Sequence, residues 1–310
     1  MALITGGSRG IGAGTALALA DHGYDVALTY RNKAARANEV VTAVTQRGVR
    51  GLALACDMTR SSDVEQLFHH LKQWTDHLDV VILNASGGME RDLVEIDPDY
   101  AMHINRDAQL LLIDAALPLL ASGGVIVFVT SHRAHLYGQM KQLPACQEPV
   151  AESKHAGEQA LRTRQEEFAA RGIRLLVVTG DLVEGTITPK LLERTTPGLI
   201  DQRRTRMGAL PTATEMGKEI ALTVMDTSLP TGSTVVVGAP LQSMLSLPQG
   251  ALRGNSDALY DFSDADLFFC QEQPASQYLS NTPGLGKAAS RFVGRLWLCH
   301  FADRSQACIP

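Results

Sequence analysis

The first residues whose types and spacing can do chemistry are Thr5-Gly6-Gly7-Ser8-Arg9-Gly10-Ile11-Gly12. Glycines here let the backbone turn sharply and approach a pyrophosphate closely. A helix opening behind them offers unpaired amide donors and positive potential. Gly6, Ser8, Arg9, Gly10, Ile11 and Gly12 are therefore candidate dinucleotide ligands. A tight turn alone can look the same, but this loop lies between a strand-like run and a helix, where the motif has meaning. The second feature is Thr29-Tyr30-Arg31-Asn32, which closes the next strand-like run without a carboxylate. An acid there would accept hydrogen bonds from a ribose 2′-hydroxyl and repel a 2′-phosphate. Arg31 and Arg9 can instead grip that phosphate through charge-assisted hydrogen bonds. The expected cofactor is NADPH rather than NADH.

Positioning these groups requires alternating elements, and the chain supplies them as far as about residue 240. Strand-like runs are Ala2–Thr5, Asp25–Tyr30, Gly51–Ala55, Val80–Leu83, Val125–Thr130, Ile173–Val178 and Thr234–Val237. Most are continuous and β-branched or leucine-rich, the pattern of parallel strands covered on both faces. Amphipathic segments separate them. Ser62-Asp63-Val64-Glu65 and Thr212-Ala213-Thr214-Glu215 both read as helix-starting capping boxes. The expected fold is α/β, a Rossmann-type doubly wound parallel sheet of about seven strands with helices on both faces. Residues 1–240 form its nucleotide-binding catalytic domain. Residues 241–310 lose the pattern and read as an extension packed on the core or partly disordered.

Charged residues are 20% and hydrophobic residues 45% of the 310, ordinary for a soluble globular protein. The net charge of −5 gives no reason to expect nucleic acid or an anionic membrane as partner. The apolar stretch near 110–120 is broken by Asp114 and Pro118 and cannot span a bilayer. Met1 runs straight into the first strand, which reads as no signal peptide. Five scattered cysteines without a CxxC pair argue against disulfides or a zinc site and for a reducing cytoplasm. Cys146 reads as an unreactive loop thiol, and Arg203-Arg204-Thr205-Arg206 as a solvated helix face.

With the landmarks in this order, the chain resembles the short-chain dehydrogenases/reductases over about residues 1–240. The segment Thr5–Gly12 looks like that family's nucleotide loop. Cys56-Asp57-Met58-Thr59 resembles the place where an Asp contacts adenine. Asn84-Ala85-Ser86-Gly87 resembles the Asn-Asn-Ala-Gly segment with the first Asn missing. Asn105, in the helix after Pro98, falls at the family's helix asparagine. Ser131 ends Val125-Ile-Val-Phe-Val-Thr-Ser131 as the catalytic serine does, and Thr231-Gly232-Ser233 before the last strand also fits. The resemblance implies cofactor contacts from Asp57, Asn84, Ala85 and Ser86, and catalytic roles for Asn105 and Ser131. It also allows a homo-oligomer through helices around 98–120 and 149–172.

In that family a Tyr lies four residues before a Lys. The phenol protonates the alkoxide left by hydride transfer, and its pKa is lowered by the nearby cation. Here the segment is Pro149-Val150-Ala151-Glu152-Ser153-Lys154. Lys154 matches the cofactor-holding lysine, while Val150 stands where the tyrosine belongs and donates no proton. The 19-residue step from Ser131 to Val150 is several residues longer than in the compact branch of the family. Ser131-His-Arg-Ala-His-Leu-Tyr-Gly138 resembles the extended branch. Tyr137, His132, His135 and Glu152 are alternative acids. For Tyr137 the competing role is shaping the pocket, for the histidines a loop position, for Glu152 a helix-face charge. A further alternative needs no protein acid: a phenol beside the reacting carbonyl of the substrate protonates the oxyanion itself.

The chain is also similar to tyrosine-less ketoreductases of aromatic polyketides, such as the angucyclinone part of simocyclinone-type antibiotics, whose substrates carry such hydroxyls. Thr179-Gly180-Asp181-Leu182 replaces the Pro-Gly that the family places after the sixth strand. Thr186 or Thr188, shortly beyond it, is placed to contact the carboxamide. Residues 187–210, with Leu191, Leu192, Leu199 and Met207, read as a mobile lid over a bulky apolar substrate, or as plain core packing. Three functions follow as alternatives: an NADPH-dependent reductase of a bulky aromatic ketone, a catalytically inactive NADP(H) sensor or regulator, and other NADP-linked chemistry such as dehydration or epimerisation.

Overall fold

The computed structural model describes residues 1–140, 147–195, 197–245 and 297–299. Cys146 and most of the extension therefore lie outside the described residues. The first half alternates strictly: β1 (Ala2–Ile4), α1 (Gly10–Asp21), β2 (Val26–Tyr30), α2 (Ala34–Thr45), β3 (Gly51–Ala55), α3 (Ser61–Trp74) and β4 (Leu78–Leu83). A short α4 (Arg91–Ile96) and α5 (Tyr100–Met102) follow. A π-helical turn, His103–Asp107, then leads into α6 (Ala108–Ala116). β5 (Leu120–Ser131) ends in the single turn α7 (His132–His135), after which come α8 (Glu148–Arg162), α9 (Gln165–Ala170) and β6 (Arg174–Gly180). α10 (Ile187–Thr195), α11 (Leu199–Met207), α12 (Ala213–Met225), β7 (Thr234–Val237), α13 (Gln242–Leu245) and β8 (Trp297–Cys299) complete the described chain.

The strands order as β3-β2-β1-β4-β5-β6-β7-β8. The first seven are parallel, as expected, and β8 adds an antiparallel edge. Strand residues alternate between two cores. Ile4, Leu28, Ile82 and Val127 pack with Leu19 of α1 and Ile220 and Val224 of α12. Leu3, Val81, Ile126 and Val177 pack with Leu67 and Leu71 of α3, Leu112 of α6, Leu161 of α8 and Phe168 of α9. Burial on both faces is why these strands read as unbroken apolar runs.

Two expectations about helix ends part ways. Thr212 and Glu215 close a capping box at α12. The Ser62–Glu65 box does not form. α3 begins two residues earlier than that box requires, behind Arg60, and the Asp63 carboxylate accepts the Asp57 amide at 3.0 Å instead. That bond closes the six-residue turn between β3 and α3 in place of the expected cap. Of the extension, Leu241 and Met244 bury against Leu136 and Val236.

Candidate active site

In an open α/β sheet the order reverses at a switch point, where a crevice opens beyond the strands' carboxyl ends. Here that point lies between β1 and β4. Thr5 stitches the two strand ends together: its Oγ1 accepts the amides of Asn84 and Ala85, both at 2.9 Å. The Asn84 side chain returns the link, donating to the carbonyls of Thr5 at 2.9 Å and Gly6 at 3.3 Å. A Cβ at Gly12 would lie 2.5 Å from the Gly6 carbonyl and 2.7 Å from Asn84 Nδ2, so only glycine permits this crossing. Gly10 has φ of +56° and lies open toward Thr186, whose Cγ2 would be 3.6 Å from a Cβ there. Thr186 is thus brought over the glycine loop. Its hydroxyl donates to the Val183 carbonyl at 2.7 Å and keeps its acceptor capacity.

Arg9, at the N-cap of α1, and Arg31, beyond β2, are both exposed. Arg31 Nη1 donates to the Tyr100 hydroxyl at 2.7 Å. Asp57 accepts from the amide and hydroxyl of Thr59 at 3.2 and 2.7 Å, which shapes the loop beside them. Glycine cradle, helix N-terminus, cationic rim and Asp57 line one end of the crevice. This donor set fits the dinucleotide expected from the sequence.

At the other end lie the catalytic candidates. Asn105 is buried within the π-helical turn, a local irregularity common at functional sites. Its Nδ2 donates to the Gly87 carbonyl at 2.9 Å and to Ser153 Oγ at 3.0 Å, and its Oδ1 accepts the Gly87 amide at 3.3 Å. Ser153 passes the link on to the Val150 carbonyl at 3.2 Å. α8 can come this close because residue 157 is glycine; a Cβ there would lie 2.1 Å from the Asn105 carbonyl. Ser131 ends β5 beside Gly180 of β6, and its Oγ accepts the Ala134 amide at 3.3 Å. That leaves the hydroxyl proton free to donate. Burial pushes the Lys154 ammonium down to about 8, with Glu158 one turn along the helix pulling it back up. Val150 lies one turn before Lys154, and its Cγ2 would be 3.0 Å from a Cβ on Gly88. An apolar methyl therefore faces the loop after β4 from the tyrosine's position.

The alternative acids are engaged elsewhere. The Tyr137 ring lies 5.9 Å, centroid to centroid, from that of His155. Its hydroxyl is raised by burial and then by Glu152 and Glu148. These partners share a face of α8 different from the Val150–Lys154 stripe, since each residue advances about 100°. The structure therefore does not bring Tyr137 to Lys154. His132 and His135 are buried rather than loop histidines. Nε2 of His132 donates to the Ala239 carbonyl at 2.9 Å and Nδ1 lies 3.1 Å from Thr179 Oγ1. Desolvation lowers the ring's pKa to about 4. His135 Nδ1 meets both oxygens of buried Glu158 at 2.9 Å. Glu152 is exposed, as a helix-face charge would be.

Arg203, expected on a solvated helix face, is not solvated. It is buried against Asp181, with Nη2 2.8 Å from the carboxylate, and it also reaches Met244. Asp181 sits where the family places its Pro-Gly, so the substituted carboxylate anchors α11 to the end of β6. Exposed Arg204 pairs with Glu184 at 2.8 Å and with Asp201. Leu192, Leu182 and Leu210 bury together, with Leu199, Ile200 and Met89 packed against them. The expected lid is thus a small apolar cluster reaching the loop after β4. Sequence reasoning missed Asp181–Arg203, Ser153 and Tyr100, because each acts through a partner distant in sequence. No group of metal-ligating residues occurs, and no helix is long and apolar enough to cross a membrane, among the described residues.

A glycine cradle at the switch point of a parallel sheet defines a doubly wound dinucleotide-binding α/β protein. More narrowly, the chain belongs to the short chain dehydrogenase family, whose model matches residues 1–195. It is 35% identical over 141 residues to the hydroxynaphthalene reductase-like protein Arp2 of Metarhizium anisopliae, covering 44% of this chain and 53% of that protein. The chain thus spans about half the length of such curated relatives. A short chain dehydrogenase from Burkholderia cenocepacia, solved with NADP, superposes with a TM-score of 0.68 at 28% identity, covering 78% of this chain and 97% of that one. The promiscuous reductase LugOII, which catalyses keto-reduction at C1 during lugdunomycin biosynthesis, superposes with a TM-score of 0.62 at 26% identity. That match covers 73% of this chain and 91% of LugOII. The fold and the family are thereby established.

Proposed function

We propose that the chain is an NADPH-dependent ketoreductase. Its substrate is a bulky aromatic polyketide whose ring carbonyl it reduces to an alcohol in antibiotic biosynthesis, in a reducing cytoplasm. The proton comes from the substrate. The observation that carries this reading is Val150, packed on Gly88 one turn from Lys154, with Asn105 bonded to the neighbouring Gly87 and a serine, Ser131, kept at the end of β5. A sensor of NADP(H) has no use for an oxyanion donor, so the retained Ser131 favours an enzyme. Similarity to a hydroxynaphthalene reductase-like protein supports a hydroxylated aromatic substrate, and similarity to LugOII supports keto-reduction.

Bound NADPH would supply a hydride to the carbonyl carbon. Gly6, Ser8, Gly10, Ile11 and Gly12 would hold its pyrophosphate, Arg9 and Arg31 its 2′-phosphate and Asp57 its adenine, with further contacts from Asn84, Ala85 and Ser86. Lys154 would hold the nicotinamide ribose, and Thr186 the carboxamide. Ser131 donates a hydrogen bond to the carbonyl oxygen. The oxyanion formed there takes its proton from the neighbouring substrate phenol, and solvent later reprotonates the phenolate. A lost general acid costs roughly 10²–10⁴-fold, and well-oriented intramolecular groups reach effective molarities of about 10⁵–10⁸ M, ample compensation.

Incubation with NADPH and hydroxylated polycyclic ketones tests the reading. Formation of the ring alcohol with matching NADPH loss is expected. Cofactor binding without turnover of any such ketone would favour the sensor.

A further inference from the structure

Tyr100 starts the helical segment that carries Asn105, five residues ahead of it. Its side chain is buried and lies on the loop after β4: a Cβ on Gly87 would sit 2.9 Å from Cε1 and 3.2 Å from the hydroxyl. The same hydroxyl accepts from Arg31 Nη1 at 2.7 Å, across 69 residues of sequence. Burial first, then the charges of Glu90 and Asp57, raise the phenol's pKa against the pull of Arg31, so it stays protonated. Arg31, Asp57 and the Gly87 loop therefore converge on one phenol.

Three physical points follow. Arg31 is otherwise exposed on a flexible stem, and ordering such a side chain on binding costs rotamer entropy. A neutral hydroxyl orders the guanidinium without cancelling its charge, whereas a carboxylate would cancel it and repel a phosphate. Among the described residues only one of the five guanidinium donors is used, and the rest remain for bidentate phosphate contact. No ion pair of Arg31 forms among the described residues.

Resting on the reading of NADP(H) as cofactor, we infer that Tyr100 is a positioning residue that pre-orders Arg31 at the adenosine end of the crevice and so sets the preference for a 2′-phosphorylated dinucleotide. One helix then serves both ends of the cofactor, Asn105 at the catalytic loop and Tyr100 at the 2′-phosphate.

The test is Tyr100→Phe, which keeps the ring, in equilibrium titrations with NADPH, NADH and 2′,5′-ADP. Circular dichroism checks the fold. Affinity for NADPH and 2′,5′-ADP should fall about tenfold, the worth of one hydrogen bond to a charged group, with NADH unchanged. Arg31→Ala should show the same selective loss, and the double variant little more than either single change. Unchanged NADPH affinity in Tyr100→Phe, or an equal loss for NADH, would overturn the positioning role. Wild-type protein that binds none of the three would overturn the dinucleotide reading itself.

Discussion

Asp181 and Arg203 form a buried ion pair, 2.8 Å between nitrogen and oxygen, that joins the end of β6 to α11. Removing one partner of such a pair leaves a charge stranded from water and typically costs about 3–5 kcal/mol. Asp181→Asn should therefore lower stability by that order in urea denaturation and raise KM for a polycyclic ketone more than it lowers kcat. Replacing both partners, as Asp181→Leu with Arg203→Met, should recover most of the stability but not the KM.

His132 makes stability acid-sensitive. Burial holds its folded pKa near 4, below the ordinary 6.5, despite the opposing pull of Asp181 and the Ala239 carbonyl. Between those values the unfolded chain binds more protons, so stability is fully present above about pH 6.5 and falls as the pH drops toward 4. Up to about 3 kcal/mol is at stake. Urea midpoints of His132→Asn, compared with wild type at neutral and mildly acidic pH, should show a flatter pH dependence. Parallel curves would remove His132 as the source.

Lys154 has the opposite consequence for binding. Its ammonium is pushed down to about 8 from the ordinary 10.5 by burial. Keeping it charged weighs on the fold below pH 8, and the burden lifts as the pH rises from there toward 10.5. The grip proposed for Lys154 on the ribose hydroxyls should weaken over the same rise. Lys154→Met should be more heat-stable than wild type below pH 8, yet bind NADPH weakly at every pH. NADPH affinity of the wild type should fall through pH 8 in a fluorescence titration.

Ser131 and Tyr137 separate the mechanisms. Ser131→Ala should lower kcat by about 10²–10³-fold with NADPH affinity intact, as loss of an oxyanion donor does. Tyr137→Phe should leave kcat within about twofold, because its ring sits against His155 rather than beside Lys154. Steady-state kinetics on one hydroxylated ketone suffices. Abolished turnover in Tyr137→Phe would make that phenol the acid.

The seven parallel strands and the glycine loop were legible because they are written locally, in continuous β-branched runs and in Thr5–Gly12. Asn105, Ser131 and Lys154 are singled out by their order along the chain, and the structure sets Asn105 on the Gly87 loop, Ser131 at the end of β5 and Lys154 on α8. What escaped was long-range. Arg203 reads as solvated until Asp181, 22 residues away, is folded against it. His132 and His135 read as loop residues until Ala239 and Glu158 cover them. One local reading also failed, because the Ser62 cap loses to the Asp63 bond with Asp57, six residues back. Tyr100 carried no signal beyond its place one and a half turns before Asn105.

The central claim is that the substrate supplies the proton that Val150 cannot. Its most direct test is kcat/KM for a pair of polycyclic ketones, one with a hydroxyl beside the carbonyl and one methylated there. The expected result is a loss of about 10²–10⁴-fold on methylation, with the methylated ketone still binding. Equal turnover of the two would contradict the claim and place the acid on the protein.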